Sequence, residues 1–154
     1  MTTIIYTDGC AAPTNPGPGG AAWIIVRPRK AARRGAVGFK RTTNNRMELM
    51  AAILALQDCR DEANILVRSD SQYVVNAFEK NWLKAWQKNG WIRSDHEPVL
   101  NADLWRELLA LVEGHEVRWE WLRGHAGNQL NEDCDRRASE AAARPTEEDY
   151  GYER

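Results

Sequence analysis

The sequence predicts an α/β fold, on three observations. Short apolar runs bounded by Gly, Pro, Asn and Asp alternate with longer segments of helical period. The first three runs follow one another without a helix between them, as in an antiparallel meander. The later runs are joined through helices, and a strand, helix, strand succession makes a parallel crossover. A chain of 154 residues is long enough to form one domain with a substantial core.

Thr3 to Thr7 reads as a short buried strand ended by Asp8-Gly9, with a loop from Cys10 to Gly20 that contains Asn15-Pro16-Gly17-Pro18-Gly19-Gly20. Asp-Gly favours a two-residue hairpin turn, but this loop is far longer. Asp8 is therefore a turn residue or a functional carboxylate at a strand end. Ala21 to Arg27 is a second strand, Pro28 to Gly35 a basic connector, and Ala36 to Thr42 a third strand.

Thr42-Thr43-Asn44-Asn45 then caps a helix that ends near Cys59. From Met47 to Leu56 every residue except Glu48 is apolar, so the helix is expected to be buried on more than one side. An ionised carboxylate buried without a partner costs several kcal/mol. Glu48 is either a first-turn residue favoured by the helix dipole or a carboxylate held by something else, with room beside Ala52 and Ala55.

Asn64 to Ser69 is a strand whose consecutive Ile65, Leu66 and Val67 suit a sheet covered on both faces. It ends at Asp70, which is either the N-cap of the helix Gln72 to Glu79 or a second carboxylate beside Asp8 at the ends of neighbouring parallel strands. Lys80 to Gly90 reads as a helix with Lys80, Lys84 and Lys88 on one stripe and Trp82 and Trp86 on the next, followed by a loop with Trp91, Arg93, Asp95 and Glu97. Such stripes suit a surface that tracks a nucleic-acid backbone, or Trp packed inward under solvated Lys. Asn101 to Val112 is amphipathic. Val117 to Trp121 alternates as a half-buried strand and leads to Arg123-Gly124-His125-Ala126-Gly127-Asn128, where flanking glycines leave His125 on a loop. The last helix, Gln129 to Ala143, carries Asn131 and Asp135 at the edge of its buried stripe, and residues 144–154 read as a surface tail.

Composition narrows the class. Cys10, Cys59 and Cys134 are odd in number and form no CxxC pair, which argues against a disulfide framework or structural zinc and fits a reduced compartment. The apolar runs fall short of a membrane span and the N-terminus lacks a signal pattern, so a cytoplasmic protein with no membrane partner is expected. Net charge is −1, with 14 Lys and Arg against 9 Asp and Glu before residue 101 and 7 against 13 from there on. Asp8, Glu48, Asp70 and Asp135 brought together would repel unless cations bridged them, and an all-oxygen donor set selects Mg²⁺ or Mn²⁺ over zinc.

Asp8-Gly9 with Asn15 to Gly20, Thr42 to Ala52, Ser69 to Val74, Asp103-Leu104-Trp105, and Gly124-His125-Ala126-Gly127 with Asn131-Glu132 and Asp135, in that order and spacing, resemble type 1 ribonuclease H over nearly the whole chain. The resemblance implies a ribonuclease H fold over residues 1–143, with a five-stranded mixed sheet in the order 3-2-1-4-5 and helices on both faces. It implies hydrolysis of the RNA strand of an RNA–DNA hybrid to 5′-phosphate and 3′-hydroxyl ends by a monomer. Asp8, Glu48, Asp70 and Asp135 match the ligands of two metal ions, Asp8 bridging them, with Asp135 on the water side and Glu48 and Asp70 on the leaving-group side. His125 matches a proton carrier.

The resemblance further implies that Asn15, Asn44, Asn45 and Gln72 contact the minor groove and riboses. Arg41, Thr43 and Asn101 match a pocket for a phosphate of the DNA strand, Trp82 a residue in the DNA-strand channel, and Lys84, Trp86, Lys88 and Trp91 the basic protrusion. No separate hybrid-binding domain is expected before the first strand. Two features depart from the pattern: the segment from Cys10 to Thr14 is one residue longer than usual, which leaves Cys10 unassigned as a ribose contact, and the protrusion has few bases beside Asp95 and Glu97, so hybrid binding is expected to be weak and salt-sensitive. A nuclease of the resolvase or transposase type is disfavoured by Asn15 to Gly20 and Thr42 to Ala52, and a non-catalytic hybrid-binding module by the presence of all four acids.

Overall fold

The computed structural model describes residues 2–124 and 127–152. Its elements are β1 (Thr3–Ala11), β2 (Gly17–Val26), β3 (Arg33–Thr42), α1 (Asn44–Gln57), β4 (Asn64–Ser69), α2 (Gln72–Glu79), α3 (Trp82–Lys88), α4 (Ala102–Val112), β5 (Glu116–Trp121) and α5 (Gln129–Ala143). They form one five-stranded sheet in the order β3-β2-β1-β4-β5. β1 runs antiparallel to β2 and parallel to β4, so the sheet is mixed, as expected.

Alternation along β1 sorts the two faces. Ile5 packs with Leu49, Ile53 and Leu56 of α1 and with Leu104 and Leu108 of α4 in the larger core. Tyr6, one residue on, packs with Ile24 and with Cys134 of α5 on the opposite face. α1 is buried on two sides, between the strands β1 and β2 and the helix α4. Ala52 and Ala55 lie inside the larger core, so the room expected beside Glu48 is filled by packing. α5 covers β1, β2 and β3. That cover explains why Leu66 in β4 is only partly buried whereas Ile65 and Val67 are fully so, against the expectation of a strand enclosed on both faces.

The expected loop from Cys10 to Gly20 is corrected. The antiparallel ladder continues through Cys10↔Gly20 and Ala11↔Gly19, leaving only residues 12–16 as the turn. Gly20 serves close packing rather than looping, since a β-carbon there would lie 2.0 Å from the Ala138 carbonyl oxygen of α5. β3 likewise starts earlier than expected, at Arg33, because an edge strand tolerates charged side chains on its open face; Arg33 pairs with Asp58 at 3.4 Å and Arg34 with Asp133 at 3.0 Å.

The tail is corrected as well. Residues after Ala143 do not simply lie on the surface: the Lys40 N–H donates to Glu147 O and the Glu147 N–H to Gly38 O, laying the tail alongside β3. Two residues on, Asp149 is buried and accepts from Arg46 Nε at 2.7 Å, Arg46 Nη2 at 2.9 Å and Thr42 Oγ1 at 2.7 Å. Arg46, in the first turn of α1, also grips Asp103 of α4 through two parallel hydrogen bonds of 2.7 and 2.8 Å. Burial by itself lowers the Arg46 pKa, but the bonds to Asp103 and Asp149 more than reverse this, and Arg46 in turn holds the Asp103 carboxyl below its usual range.

The two acids of this network are expected to differ in worth. Asp149→Ala removes a partner from an almost fully buried pair and should cost about 3 kcal/mol; Asp103→Ala removes a side chain that is 46% exposed and should cost about 1 kcal/mol or less. Urea unfolding of the two variants measures the difference, and equal losses would contradict the network as described.

Candidate functional site

The site is built where the parallel ladder between β1 and β4 ends. The last register pair is Thr7↔Ser69, so Asp8 and Asp70 are the next residues of two adjacent parallel strands. Asp8 is not the turn residue its Asp-Gly context suggested: it lies within β1 and is 4% exposed. Nor does Asp70 cap the following helix. That cap is Ser71, whose hydroxyl accepts from the Val74 N–H at 3.3 Å, while the Asp70 carbonyl accepts from Trp121 Nε1.

Glu48 reaches the same point from α1. Thr43 caps that helix, its hydroxyl accepting from the Arg46 N–H at 3.2 Å. The first turn sits directly on Gly9, where a β-carbon would lie 2.2 Å from the Met47 carbonyl carbon and 2.4 Å from Glu48 N. Glycine at position 9 therefore sets the distance between helix and strand. One oxygen from each of Asp8, Glu48 and Asp70 lies within 4.8 Å of the others. Asp135, in the second turn of α5, is near enough to Asp8 to raise its pKa. The structure thus brings Asp8, Glu48 and Asp70 into one cluster, with Asp135 beside Asp8. His125 lies outside the described residues; at Gly124, beside it in sequence, a β-carbon would be 3.1 Å from Asp70 Oδ2.

The electrostatics are those of crowded acids. Burial first, then the charge of Asp70 and the hydrogen bond and charge of Asp135, push the Asp8 pKa up to about 8, against the opposing Gly9 N–H. Burial, followed by the charges of Asp8 and Asp70, raises Glu48 well above the usual carboxylate range. Glu48 Oε1 is wholly buried and has no hydrogen-bond partner among the described residues. An orphaned buried oxygen facing two further carboxylates fits a hard divalent cation, which would supply the missing positive charge.

A cavity of about 830 Å³ runs between the start of α1 and the loop after α3. Asn15, Thr43, Asn44, Asn45, Trp91 and Asn101 line it. The 12–16 turn is locked to α1 by the Asn44 N–H donating to Asn15 Oδ1 at 3.1 Å and the Ala11 N–H donating to Asn44 Oδ1 at 2.5 Å. Arg41 is not in that lining; its guanidinium stands 6.0 Å from the ring of Tyr152, which is. Gln72 is exposed at the first position of α2. Lys84 and Lys88 are exposed on α3, Trp82 is 38% exposed, and Trp86 and Trp91 pack partly against the larger core. Sequence reasoning missed Arg46, Asp149 and Tyr152, whose partners lie on distant segments and leave no local pattern.

A family model described as RNase H matches residues 1–143. The chain is 48% identical to the Ribonuclease H of Desulforamulus reducens over 141 residues, covering 92% of this chain and 87% of that one. It is 46% identical to the Ribonuclease H of Escherichia coli O9:H4 over 149 residues, covering 97% and 94%. Among solved structures, LC9-RNase H1, a type 1 RNase H with the type 2 active-site motif, superposes with a TM-score of 0.81 at 33% identity, covering 94% of this chain and 74% of that one. LC11-RNase H1, solved in complex with an RNA/DNA hybrid, superposes with a TM-score of 0.70 at 23% identity, covering 92% and 96%, a likeness of fold.

The raised acid pKa values have a consequence for metal-free stability. Below about pH 4 the folded and unfolded chains both hold these protons; from there to about pH 8 the folded chain keeps a proton on Asp8 that the unfolded chain, near its ordinary 3.8, has released. Stability therefore falls across that window and levels off above it. In chelator, Asp8→Asn should be more stable than the parent by an amount that grows from about pH 4 to about pH 8, and excess divalent cation should narrow the gap. A gap independent of pH in thermal unfolding would contradict this electrostatic account.

Proposed function

Because the chain belongs to the RNase H family, we propose that it is an endoribonuclease that hydrolyses the RNA strand of RNA–DNA hybrids. The observation that carries the reading is the convergence of Asp8, Glu48 and Asp70 within 4.8 Å, with Asp135 near enough to Asp8 to raise its pKa. The fold is also one on which LC11-RNase H1 holds an RNA/DNA hybrid.

The four carboxylates would hold two divalent ions, Mg²⁺ fitting the oxygen-only donors and Mn²⁺ being the second choice. Bound there, such ions supply stabilisation of charge building on the phosphoryl oxygens and make an attacking water more acidic. The reaction forms a bond from a water oxygen to phosphorus and breaks the bond to the 3′-oxygen, leaving a 5′-phosphate and a 3′-hydroxyl. Asp135 would serve the water side, Glu48 and Asp70 the leaving-group side, and His125 would carry the proton.

Selection of RNA over DNA needs groups that read the 2′-hydroxyl and groove shape. The amides of Asn15, Asn44 and Asn45 along the cavity, with Gln72 beside Asp70, offer donors and acceptors for it. Thr43 and Asn101 would take a phosphate of the DNA strand, with Arg41 near them. Trp82, Lys84, Trp86, Lys88 and Trp91 would guide that strand. The chain is read as a cytoplasmic monomer, in keeping with free thiols at Cys10, Cys59 and Cys134 and with no helix among the described residues long and apolar enough to cross a membrane.

Cleavage of an end-labelled hybrid, beside single-stranded RNA and double-stranded DNA, tests the proposal. The RNA of the hybrid alone should be cut, only with Mg²⁺ or Mn²⁺, and Asp70→Asn should reduce cutting by more than about 100-fold, beyond the loss typical of a residue that merely supports a ligand, while hybrid binding persists. Binding without cutting by the parent chain in either metal would contradict it.

A further inference from the structure

The charged lining of the 830 Å³ cavity consists of Arg46, Asp103 and Arg106. Arg46 is neutralised twice over, by Asp103 and by Asp149. Arg106 is different: among the described residues it forms no ion pair with a carboxylate. An anion entering the cavity therefore meets one positive charge outside the Arg46 network, in surroundings that also hold the Arg46–Asp103 pair, amides, the Thr43 and Tyr152 hydroxyls and apolar groups.

That charge is also held in place. Arg106 lies in the second turn of α4, on the exposed side opposite Leu104 and Leu108, and its guanidinium covers the ring of Trp91 at 5.2 Å. Trp91 adopts a left-handed backbone, φ 64°, uncommon for a bulky side chain. It is kept there by its own N–H donating to Trp86 O at 2.7 Å and by the Val99 N–H donating to its carbonyl at 2.9 Å. A guanidinium stacked on an aromatic face keeps its in-plane N–H donors free, and their fork matches two oxygens of a phosphate. Arg41, the arginine that the sequence suggested for phosphate binding, stands against Tyr152 instead and does not line this cavity.

We propose that Arg106 is a phosphate-binding residue of the substrate groove, taking a backbone phosphodiester of the bound hybrid on the Trp91 side of the cavity. This rests on the reading of the chain as an enzyme of RNA–DNA hybrids. It supplies a contact that the lightly charged α3 surface lacks, and it gives α4 a binding role in addition to its packing against α1.

The test is hybrid affinity of the full chain, measured in chelator between about 50 and 200 mM salt, where each neutralised phosphate contributes about 0.7 to 0.9 to the slope of log affinity against log salt. Arg106→Gln is expected to weaken binding about five- to tenfold at the low-salt end and to flatten the slope by about one such contribution, with the unfolding midpoint unmoved. Arg106→Lys, which keeps the charge, is expected to keep the slope. An unaltered slope in Arg106→Gln overturns the proposal, even where affinity falls, since loss of packing alone releases no counterions. If the parent chain binds no hybrid, or binds it without salt dependence, the underlying functional reading has failed instead.

Discussion

Everything at the site depends on how closely α1 approaches β1. Gly9 has no side chain to hold the helix off, and the backbone of Met47 and Glu48 occupies the space that a β-carbon would need. This contact draws the Glu48 carboxylate down to Asp8 while the parallel ladder brings Asp70 alongside. The apolar burial of α1 thus does two jobs. It anchors the core, and it forces together carboxylates that would separate if either were on a flexible segment. Burial first, and that crowding after it, holds the Asp8 and Glu48 pKa values above the usual carboxylate range.

A helix bearing such a repulsive end must be held firmly, and Arg46 does this two residues before Glu48. Its guanidinium joins α1 to α4 through Asp103 and to the tail through Asp149. At Gly151 a β-carbon would lie 2.0 Å from Asp103 Oδ2 and 2.8 Å from Arg46 Nη2, so the tail closes over the network. The same network, with Gly151 and Tyr152 of the tail, lines the cavity. One buried arginine thus joins α1, α4 and the tail.

Much of this was legible in the sequence where the evidence is local. The limits of β4, α2 and α5 follow from caps and apolar spacing, and the structure keeps them as read. The all-apolar helix around Glu48 announced an acid with nowhere to go. Reading failed where a residue serves a distant neighbour. Gly17, Gly19 and Gly20 look like loop residues because glycine usually marks turns, yet they belong to β2, and Gly20 admits α5. Asp149 sits in an acidic tail that resembles any solvated terminus, and its partner is 103 positions away. The same holds for Arg106, an ordinary residue on an exposed helix face until Trp91 folds beneath it. Family resemblance carried the assignment of individual contact residues, which spacing alone left open.

Under the proposed function Asp8, Glu48, Asp70 and Asp135 together hold divalent cations, at a site strained by its own charge. Calorimetric titration of the chain with Mg²⁺ at neutral pH, in two buffers of different ionisation enthalpy, tests it most directly. Saturable binding that releases protons is expected, because carboxyls that hold them must give them up to a metal, with loss of that binding in Asp8→Asn and in Glu48→Gln. Binding of equal strength in those variants, or tight binding by the parent without proton release, would contradict it.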